Sequence, residues 1–374
     1  MTKIVIAPDK FKGSLSGLEF CNIVEHSILK HCNTVEIIKC PLADGGDGTV
    51  DALNFHINGH REEIRVHDPL FRPINTSYLL SADKHTAFIE MSAASGLRLL
   101  APGELNPLNT STYGTGQLIK DAIDKGARHI ILGIGGSATN DGGLGMACAL
   151  GYRFFDASGK TLKGIGSDLQ LLHEIDNHDV HPQLKDVRFE IACDVDNPLY
   201  GPYGAAFVYA PQKGADSETI AQLDAGLKNY QRIVKDQLHL DLQSIKGAGA
   251  AGGLGAGCIA FLNGELKSGI ELLKNIADFD NKIKDADWLI TGEGKLDRQT
   301  FAGKVIKGIT DSLSTQKLAV FCGVSELSQN ELTHYSIKYL DAISQYAQSN
   351  NDSVLNAGMY LEMAAESFAL SVLK

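Results

Sequence analysis

A glycine-rich loop follows a short apolar run in the middle of the chain. The run, residues 130–134, predicts a buried parallel strand, and residues 144–150 predict the start of a helix. A loop of this kind leaves backbone N–H groups beside the positive end of a helix dipole, which favours phosphate binding. The glycine loop (residues 135–143, GGSATNDGG) therefore predicts a phosphate-handling enzyme, and its candidate ligands are Gly135, Gly136, Ser137, Thr139, Asn140 and Asp141.

Carboxylates follow three other predicted strands. Asp9 comes after the first strand, Asp44 and Asp47 come after the second, and Asp194 follows a strand at residues 189–192. Two carboxylates three residues apart on a glycine scaffold can hold Mg²⁺ through water, because that ion prefers oxygen ligands and keeps part of its hydration shell. A carboxylate at the end of a buried strand also suits general-base or metal chemistry.

Cationic residues lie on loops of the same type. Lys12 and Ser14 follow Asp9, and Lys213 lies in a loop where its ammonium could meet a phosphate. A strand at residues 285–290 leads into a glycine scaffold that carries charges of both signs, among them Glu293, Lys295, Asp297, Arg298 and Lys304. Structural turns rarely need so many charges, so this segment predicts a functional role.

The composition limits the classes of partner. The 374 residues predict two domains, or one large domain with an insertion. The net charge of −11 argues against nucleic acid and anionic membrane as partners, since both need a basic surface. The seven scattered cysteines contain no CxxC pair, and no signal peptide or apolar run of membrane-spanning length is present. These features predict a soluble cytoplasmic protein.

Two other functions stay open at this stage. Gly133, Gly135 and Ala138 match a dinucleotide-binding fingerprint, with Asp156 as the acidic partner. The polar run after Ser137 separates these glycines from the helix, which disfavours a nicotinamide-dependent dehydrogenase. A non-catalytic protein that binds sugar acids is the other alternative, although binding alone does not need so many carboxylates. A second glycine segment (residues 247–257) predicts close backbone packing, either against another helix or against a ligand.

Motifs along the whole chain resemble those of the type I glycerate kinase family, the bacterial glycerate 2-kinases. Nine segments occur in the order of that family, and one position departs from it, because Lys10 stands where the family motif PDSFKGS has serine. The segments are IVIAPDKFKGSLS, PLADGGDGTV, IEMSAASGL, YGTGQLI, ILGIGGSATNDGGLGM, CDVDNPLYGPYGAA, APQKGA, GAGAAGGLG and ITGEGKLDRQTFAGK.

The resemblance implies a fold and a reaction. The expected fold is α/β, with two three-layer α/β domains, one inserted into the other, and the active site in the cleft between them. The expected boundaries are 1–66 plus 285–374 for the discontinuous domain and 67–284 for the inserted one, since a predicted β-meander interrupts the strand–helix alternation near residue 61. The expected reaction is ATP-dependent phosphorylation of D-glycerate with Mg²⁺, giving 2-phosphoglycerate. The alternatives are 3-phosphoglycerate as product or a related small hydroxy acid as substrate, and the assembly considered is a homodimer.

Phosphoryl transfer needs backbone donors, cations and one group that accepts the hydroxyl proton. The glycine loop is assigned to the nucleotide phosphates, although it could hold glycerate instead. The other hypothetical roles are catalysis for Asp194, Asp44, Lys12 and Asp297; cofactor binding for Lys213, Glu293 and Lys304; substrate binding for Asp9, Ser14 and Arg298; and Mg²⁺ binding for Asp194 and Asp47.

Overall fold

The computed structural model of the chain describes residues 1–11, 13–43, 49–301 and 305–374. These residues form two compact units. Unit 1 consists of Met1–Ile57 and Gly269–Lys374, and unit 2 is Asn58–Ser268.

Strands and helices alternate through most of the described chain. The strands are β1 (Thr2–Ile6), β2 (Val35–Lys39), β3 (Gly59–His67), β4 (Pro73–Ser81), β5 (Thr86–Glu90), β6 (His129–Gly133), β7 (Arg153–Phe155), β8 (Glu174–Asp176), β9 (Arg188–Ala192), β10 (Glu265–Lys267), β11 (Trp288–Leu296), β12 (Lys317–Ser325) and β13 (Ile337–Ala342). The helices are α1 (Gly17–His31), α2 (Thr49–Ile57), α3 (Ser92–Ser95), α4 (Tyr113–Asp124), α5 (Leu144–Ala149), α6 (Ala205–Tyr209), α7 (Ser217–Leu238), α8 (Ala250–Leu262), α9 (Gly269–Ile276), α10 (Phe279–Ile283), α11 (Val305–Thr310), α12 (Gln329–His334), α13 (Asn350–Leu355) and α14 (Ala357–Phe368).

Unit 1 is built on a parallel sheet in the order β13-β12-β11-β1-β2. The central strands β1, β11 and β12 are mostly buried, whereas the edge strand β2 is half-buried. Helices α1 and α14 pack on one face, around Phe20, Phe321 and Phe368. The loop after β1 leads into α1, where Ser16 and Glu19 form a reciprocal capping box. The cap fixes the point at which the loop ends and the helix begins.

Unit 2 is built on a mixed sheet in the order β10-β9-β6-β5-β4-β3. The predicted meander is present, because β3, β4 and β5 pair antiparallel, whereas β5, β6, β9 and β10 run parallel. Helices α4, α5 and α8 cover one face of the sheet. A second apolar core lies between α5 and α8 on one side and α6 and α7 on the other. The parallel strands end at one edge of the sheet, where the glycine loop begins.

The boundaries between the units lie at Ile57/Asn58 and Ser268/Gly269 rather than at 66/67 and 284/285. Strand β3 pairs along its whole length with β4, so it belongs to unit 2. Helices α9 and α10 pack with each other, and α9 also contacts α2, so both belong to unit 1.

The α/β class predicted from the sequence is confirmed, with parallel and mixed sheets flanked by helices. Among the described helices, none combines the length and the apolar character that crossing a membrane requires.

Candidate active site

The carboxyl ends of β5, β6 and β9 lie side by side in unit 2. Glu90 pairs with Gly133, and Gly133 pairs with Ala192, so the three strands end at the same level. Neighbouring strands are separated by about 4.8 Å. The structure therefore brings together two features that the sequence placed far apart, the glycine loop after β6 and Asp194 after β9.

Gly135 and Gly136 form an exposed turn at the start of the glycine loop, called here the glycine turn. Gly136 adopts a left-handed backbone conformation with φ of 74°, which favours glycine. Bonds to the end of α3 and the residues after it fix the turn, because Leu97 N–H donates to the Gly136 carbonyl (2.9 Å) and Ala138 N–H donates to the Ser95 carbonyl (2.9 Å). Among the described residues, the N–H groups of Gly135 and Gly136 have no hydrogen-bond acceptor. The glycine turn thus offers two fixed donors to an anion.

The remaining polar residues of the glycine loop are buried. The Asp141 carboxylate accepts hydrogen bonds from Thr112 N–H (2.8 Å) and Thr112 Oγ1 (2.7 Å), and from the N–H groups of Gly143 and Gly145 (3.2 Å each). Burial raises the pKa of Asp141, and these hydrogen bonds oppose that effect. Asp141 therefore ties the glycine loop to the first turns of α4 and α5, and its carboxylate faces the protein interior.

Thr112 is a residue that the sequence analysis did not single out. Its hydroxyl donates to Asp141 and accepts from Met146 N–H (2.8 Å), so it joins α4 to α5. The signal that could have revealed it is the polar run at residues 110–112 before an apolar helix.

Thr139 and Asn140 are fully buried. Thr139 Oγ1 and both amide atoms of Asn140 have no hydrogen-bond partner among the described residues. Buried polar atoms in proteins are normally bonded to protein, ordered water or a ligand. The assignment of these two residues to cofactor binding stays a prediction.

Lys213 is buried against the glycine loop, with 1% of its surface exposed. It lies at the end of a 3₁₀ turn, Pro211–Lys213, directly after α6. Its ammonium donates to Ser137 Oγ (2.7 Å) and to the Thr139 carbonyl (2.6 Å). Burial lowers the pKa of Lys213 to about 7, and the negative charge of Asp141 opposes the shift. Lys213 thus contacts the glycine loop directly. The sequence predicted only that it lies in a loop of its own, within reach of phosphate.

The second glycine segment packs on the glycine loop backbone to backbone. Gly142 N–H donates to the Gly252 carbonyl (3.1 Å). A Cβ atom at Gly252 would lie 2.0 Å from the Thr139 carbonyl oxygen, and one at Gly257 would lie 2.5 Å from the Gly142 carbonyl oxygen. The glycines are therefore needed for close contact between two protein segments, which resolves the alternative left open by the sequence.

Asp194 is exposed in the loop after β9. The following residues are fixed to α6, because Asn197 Nδ2 donates to the Tyr203 carbonyl (2.9 Å) and Tyr209 OH donates to Asn197 Oδ1 (2.5 Å). An exposed carboxylate fits Mg²⁺, which takes oxygen ligands and retains water. No group of three or more His, Cys, Asp or Glu residues arranged to hold a metal occurs in the described ranges. The predicted second ligand, Asp47, lies outside those ranges.

Unit 1 contains a pocket of ≈ 290 Å³ at the carboxyl ends of β1 and β2. Asp9 and Ser14, two of the predicted substrate residues, both line it, together with Gly17 at the start of α1 and Asp51. Asp9 N–H donates to the Gly292 carbonyl (2.9 Å), which joins the loop after β1 to β11. Lys10 also lines the pocket, although the sequence marked it only as a departure from the family motif.

Arg298, the third predicted substrate residue, does not line this pocket. Its side chain is 85% exposed, and its Nε lies 2.8 Å from Glu331 Oε1. Its assignment to substrate binding stays a prediction that the pocket does not support.

Glu293 and Asp297 belong to a polar network at the end of β11. Glu293 is buried and accepts a hydrogen bond from Thr300 Oγ1, which in turn accepts from Asp297 N–H (3.1 Å). Lys295 bridges Asp297 (3.3 Å) and Glu326 (2.9 Å). The roles predicted for Glu293 and Asp297 stay predictions. Lys12, Asp44 and Lys304 lie outside the described residues, so their predicted roles also stay predictions.

The dinucleotide alternative requires a helix that begins within the fingerprint. Helix α5 begins at Leu144, after the polar part of the glycine loop has ended. Its N-terminus is therefore displaced from Gly133 and Gly135, as the sequence analysis expected. This geometry disfavours the nicotinamide-binding alternative.

Comparisons with known proteins agree with the motif order. The family model described as the glycerate kinase family matches residues 4–373. A glycerate kinase from Halalkalibacterium halodurans is 42% identical over 372 residues, which cover 99% of this chain and 98% of that protein. A protein named glycerate 2-kinase from Escherichia coli is 45% identical over 309 residues, covering 83% of this chain and 81% of the relative.

A solved structure shows the same relationship. The crystal structure described as glycerate kinase 2 from Salmonella typhimurium LT2 is similar to this chain with a TM-score of 0.88 and 39% identity, covering 100% of this chain and 98% of that one. Family match, sequence identity and structural similarity extend over nearly all of the residues that carry the motifs. The chain therefore belongs to the glycerate kinase family and is a kinase.

Proposed function

We propose that this protein transfers the γ-phosphoryl group of ATP to the 2-hydroxyl of D-glycerate, giving 2-phosphoglycerate and ADP. In this reaction the glycerate oxygen forms a bond to phosphorus, the bond from phosphorus to the β–γ bridging oxygen breaks, and the hydroxyl proton passes to a base. The observation that carries the proposal is the fixed, exposed glycine turn beside Asp194 at the carboxyl edge of the unit 2 sheet. The similarity to the relative named glycerate 2-kinase supports the choice of hydroxyl.

The glycine turn would hold the phosphate groups of the nucleotide. Two backbone N–H groups at a fixed turn can stabilise the charge on phosphate oxygens without reorganising during the reaction. The turn is exposed, whereas Ser137, Thr139, Asn140 and Asp141 are buried. Gly135 and Gly136 are therefore the residues of the loop to which we assign direct contact with phosphate.

Asp194 would accept the hydroxyl proton or bind Mg²⁺. Its position after β9 places it at the same sheet edge as the glycine turn. When bound, Mg²⁺ supplies positive charge that neutralises the transferring phosphate. Asp47 is the proposed second ligand.

The pocket in unit 1 is the proposed site for glycerate. It is large enough for a three-carbon acid, and Lys10, Ser14 and the start of α1 contribute positive charge and hydrogen-bond donors to its wall. The carboxylate of glycerate needs such partners, and the positive charge of Lys10 is the one we assign to it. Asp9 supplies an acceptor for a glycerate hydroxyl.

The test is an assay of the full chain with ATP, Mg²⁺ and D-glycerate, coupled to detection of ADP. NMR of the product would distinguish 2-phosphoglycerate from 3-phosphoglycerate, and a panel of small hydroxy acids would measure specificity. We expect ADP to form only with an acceptor present and the phosphate to lie on O2. Turnover of a nicotinamide cofactor, or no ADP formation with any acid of the panel, would contradict the proposal.

Gly135→Ala is expected to weaken ATP binding without affecting the fold. A Cβ atom at this position has no neighbour within 4 Å and the backbone is not left-handed, so the protein itself tolerates the methyl group. The methyl group would lie where we place the phosphate, and we expect the KM for ATP to rise about tenfold, equivalent to about 1.4 kcal/mol. Gly103→Ala, also in open space, is the matched control. Equal KM values for the two variants would show that phosphate does not bind at the glycine turn.

A further inference from the structure

Lys213 connects the turn after α6 to the glycine loop through two neutral oxygens. Its Nζ donates to Ser137 Oγ (2.7 Å) and to the Thr139 carbonyl (2.6 Å), on either side of Ala138. Asp141, in the same loop, is the charged group that acts on it electrostatically. A buried ammonium that bonds to neutral acceptors is an expensive arrangement, and apolar residues usually serve stability better at such positions. Its position against the loop that we propose for phosphate binding therefore points to function.

The backbone that carries Lys213 is held firmly. Lys213 N–H donates to the Ala210 carbonyl (2.9 Å), and Gly214 has φ of 91°. A Cβ atom at Gly214 would lie 2.4 Å from the Leu105 carbonyl oxygen, so the chain passes close to another segment at this point. The lysine side chain thus extends from a fixed base to the glycine loop.

The contacts of Lys213 lie next to the glycine turn. Ser137 follows Gly136 directly, and the other side of the turn is fixed by the bond from Leu97 N–H to the Gly136 carbonyl. Loss of the ammonium would remove the bonds to Ser137 Oγ and to the Thr139 carbonyl, while the backbone bonds of Gly136 and Ala138 to the segment Ser95–Leu97 would remain. Because only 1% of its surface is exposed, Lys213 does not offer its ammonium directly to a ligand.

We infer that Lys213 is a positioning residue for the phosphoryl donor, one that holds Ser137 and Thr139 so that the N–H groups of Gly135 and Gly136 point at a phosphate group. The inference rests on the proposed function of the glycine turn. On this inference Lys213 does not make the direct contact with phosphate that the sequence suggested, but fixes the glycine loop that does.

The protonation state of Lys213 makes this role measurable through the pH dependence of ATP binding. Ser137 and Thr139 are neutral, so Asp141 is the charged group to consider beside Lys213. With a pKa of about 7, part of the Lys213 population is uncharged above neutral pH in the free protein. A phosphate bound to the glycine turn would favour the ammonium form, so ATP binding at pH 8 is expected to take up protons.

The experiment compares Lys213→Met with the wild type, and Lys228→Met, an exposed lysine on α7, is the control. For Lys213→Met we expect the KM for ATP to rise about tenfold or more and the KM for glycerate to stay within about twofold. The wild-type KM for ATP should rise between pH 7 and 9, with a flat profile in the variant. Calorimetry in buffers of different ionisation enthalpy should show proton uptake on ATP binding in the wild type and its loss in Lys213→Met.

Unchanged KM for ATP and an unchanged pH profile in folded Lys213→Met would overturn the inference. If that variant does not fold, calorimetry on the wild type decides, since ATP binding without proton uptake also overturns it. ATP binding with proton uptake but without phosphorylation of glycerate would contradict the proposed acceptor and leave the role of Lys213 supported.

Discussion

Asp194→Asn is expected to abolish phosphoryl transfer to glycerate while the fold stays intact. The side chain is exposed after the end of β9, so replacing a carboxylate by an amide of the same shape changes little in the packing of unit 2. The amide neither accepts the hydroxyl proton nor binds Mg²⁺ as strongly as a carboxylate. General-base catalysis alone contributes about 10²–10⁴-fold to a rate, so we expect kcat to fall by about 10³-fold or more.

Asp196→Asn is the matched control for this prediction. Asp196 lies two residues along the same loop, is also exposed, and its carboxylate is 3.6 Å from Lys246 Nζ. We expect its kcat to stay within about threefold of the wild type, because an exposed ion pair contributes little. Near-normal turnover in Asp194→Asn, or equal losses in the two variants, would remove Asp194 from the mechanism. Recovery of activity at high Mg²⁺ would assign it to metal binding rather than to proton transfer.

Local sequence patterns predicted much of the fold and the sheet edge at which the candidate site lies. The apolar run before the glycine loop is a strand, as predicted, because strand formation there depends on residues close in sequence. The proximity of Asp194 to the glycine turn was not predictable in this way, because it depends on β6 and β9 being parallel neighbours, which the strand pairing shows and no local pattern reveals.

Long-range packing decided what the sequence left open. The second glycine segment lies more than a hundred residues from the glycine loop, and no local pattern shows that one faces the other. The same holds for Lys213, because it is buried only where the turn after α6 packs against the glycine loop. Asp141 carries a carboxylate, the group that often binds metal ions. Its four hydrogen bonds, however, hold the glycine loop to α4 and α5 inside the protein. Residue type and spacing identify such groups without revealing which way they face.

Gly252→Ala is expected to be among the most destabilising single-methyl changes in unit 2. Gly252 has φ of 72°, and a left-handed conformation costs an alanine about 1–2 kcal/mol. The added Cβ atom would also lie 2.0 Å from the Thr139 carbonyl oxygen, so one of two backbone segments must move, at a further cost of about 1–3 kcal/mol. For a unit of this size each kcal/mol lowers Tm by about 2–4 °C, so we expect a fall of roughly 10 °C in the unit 2 transition.

Gly159→Ala separates the two contributions. Gly159 has φ of 82°, and a Cβ atom there has no neighbour within 4 Å, so only the conformational cost applies and a Tm change of roughly 4 °C is expected. Equal Tm values for the two variants would show that the segments separate without cost. The Thr139 carbonyl that Gly252→Ala displaces is also an acceptor for Lys213. If both residues act on the glycine turn through that carbonyl, the KM changes of Gly252→Ala and Lys213→Met should not add in the double variant, because either change alone already releases Thr139.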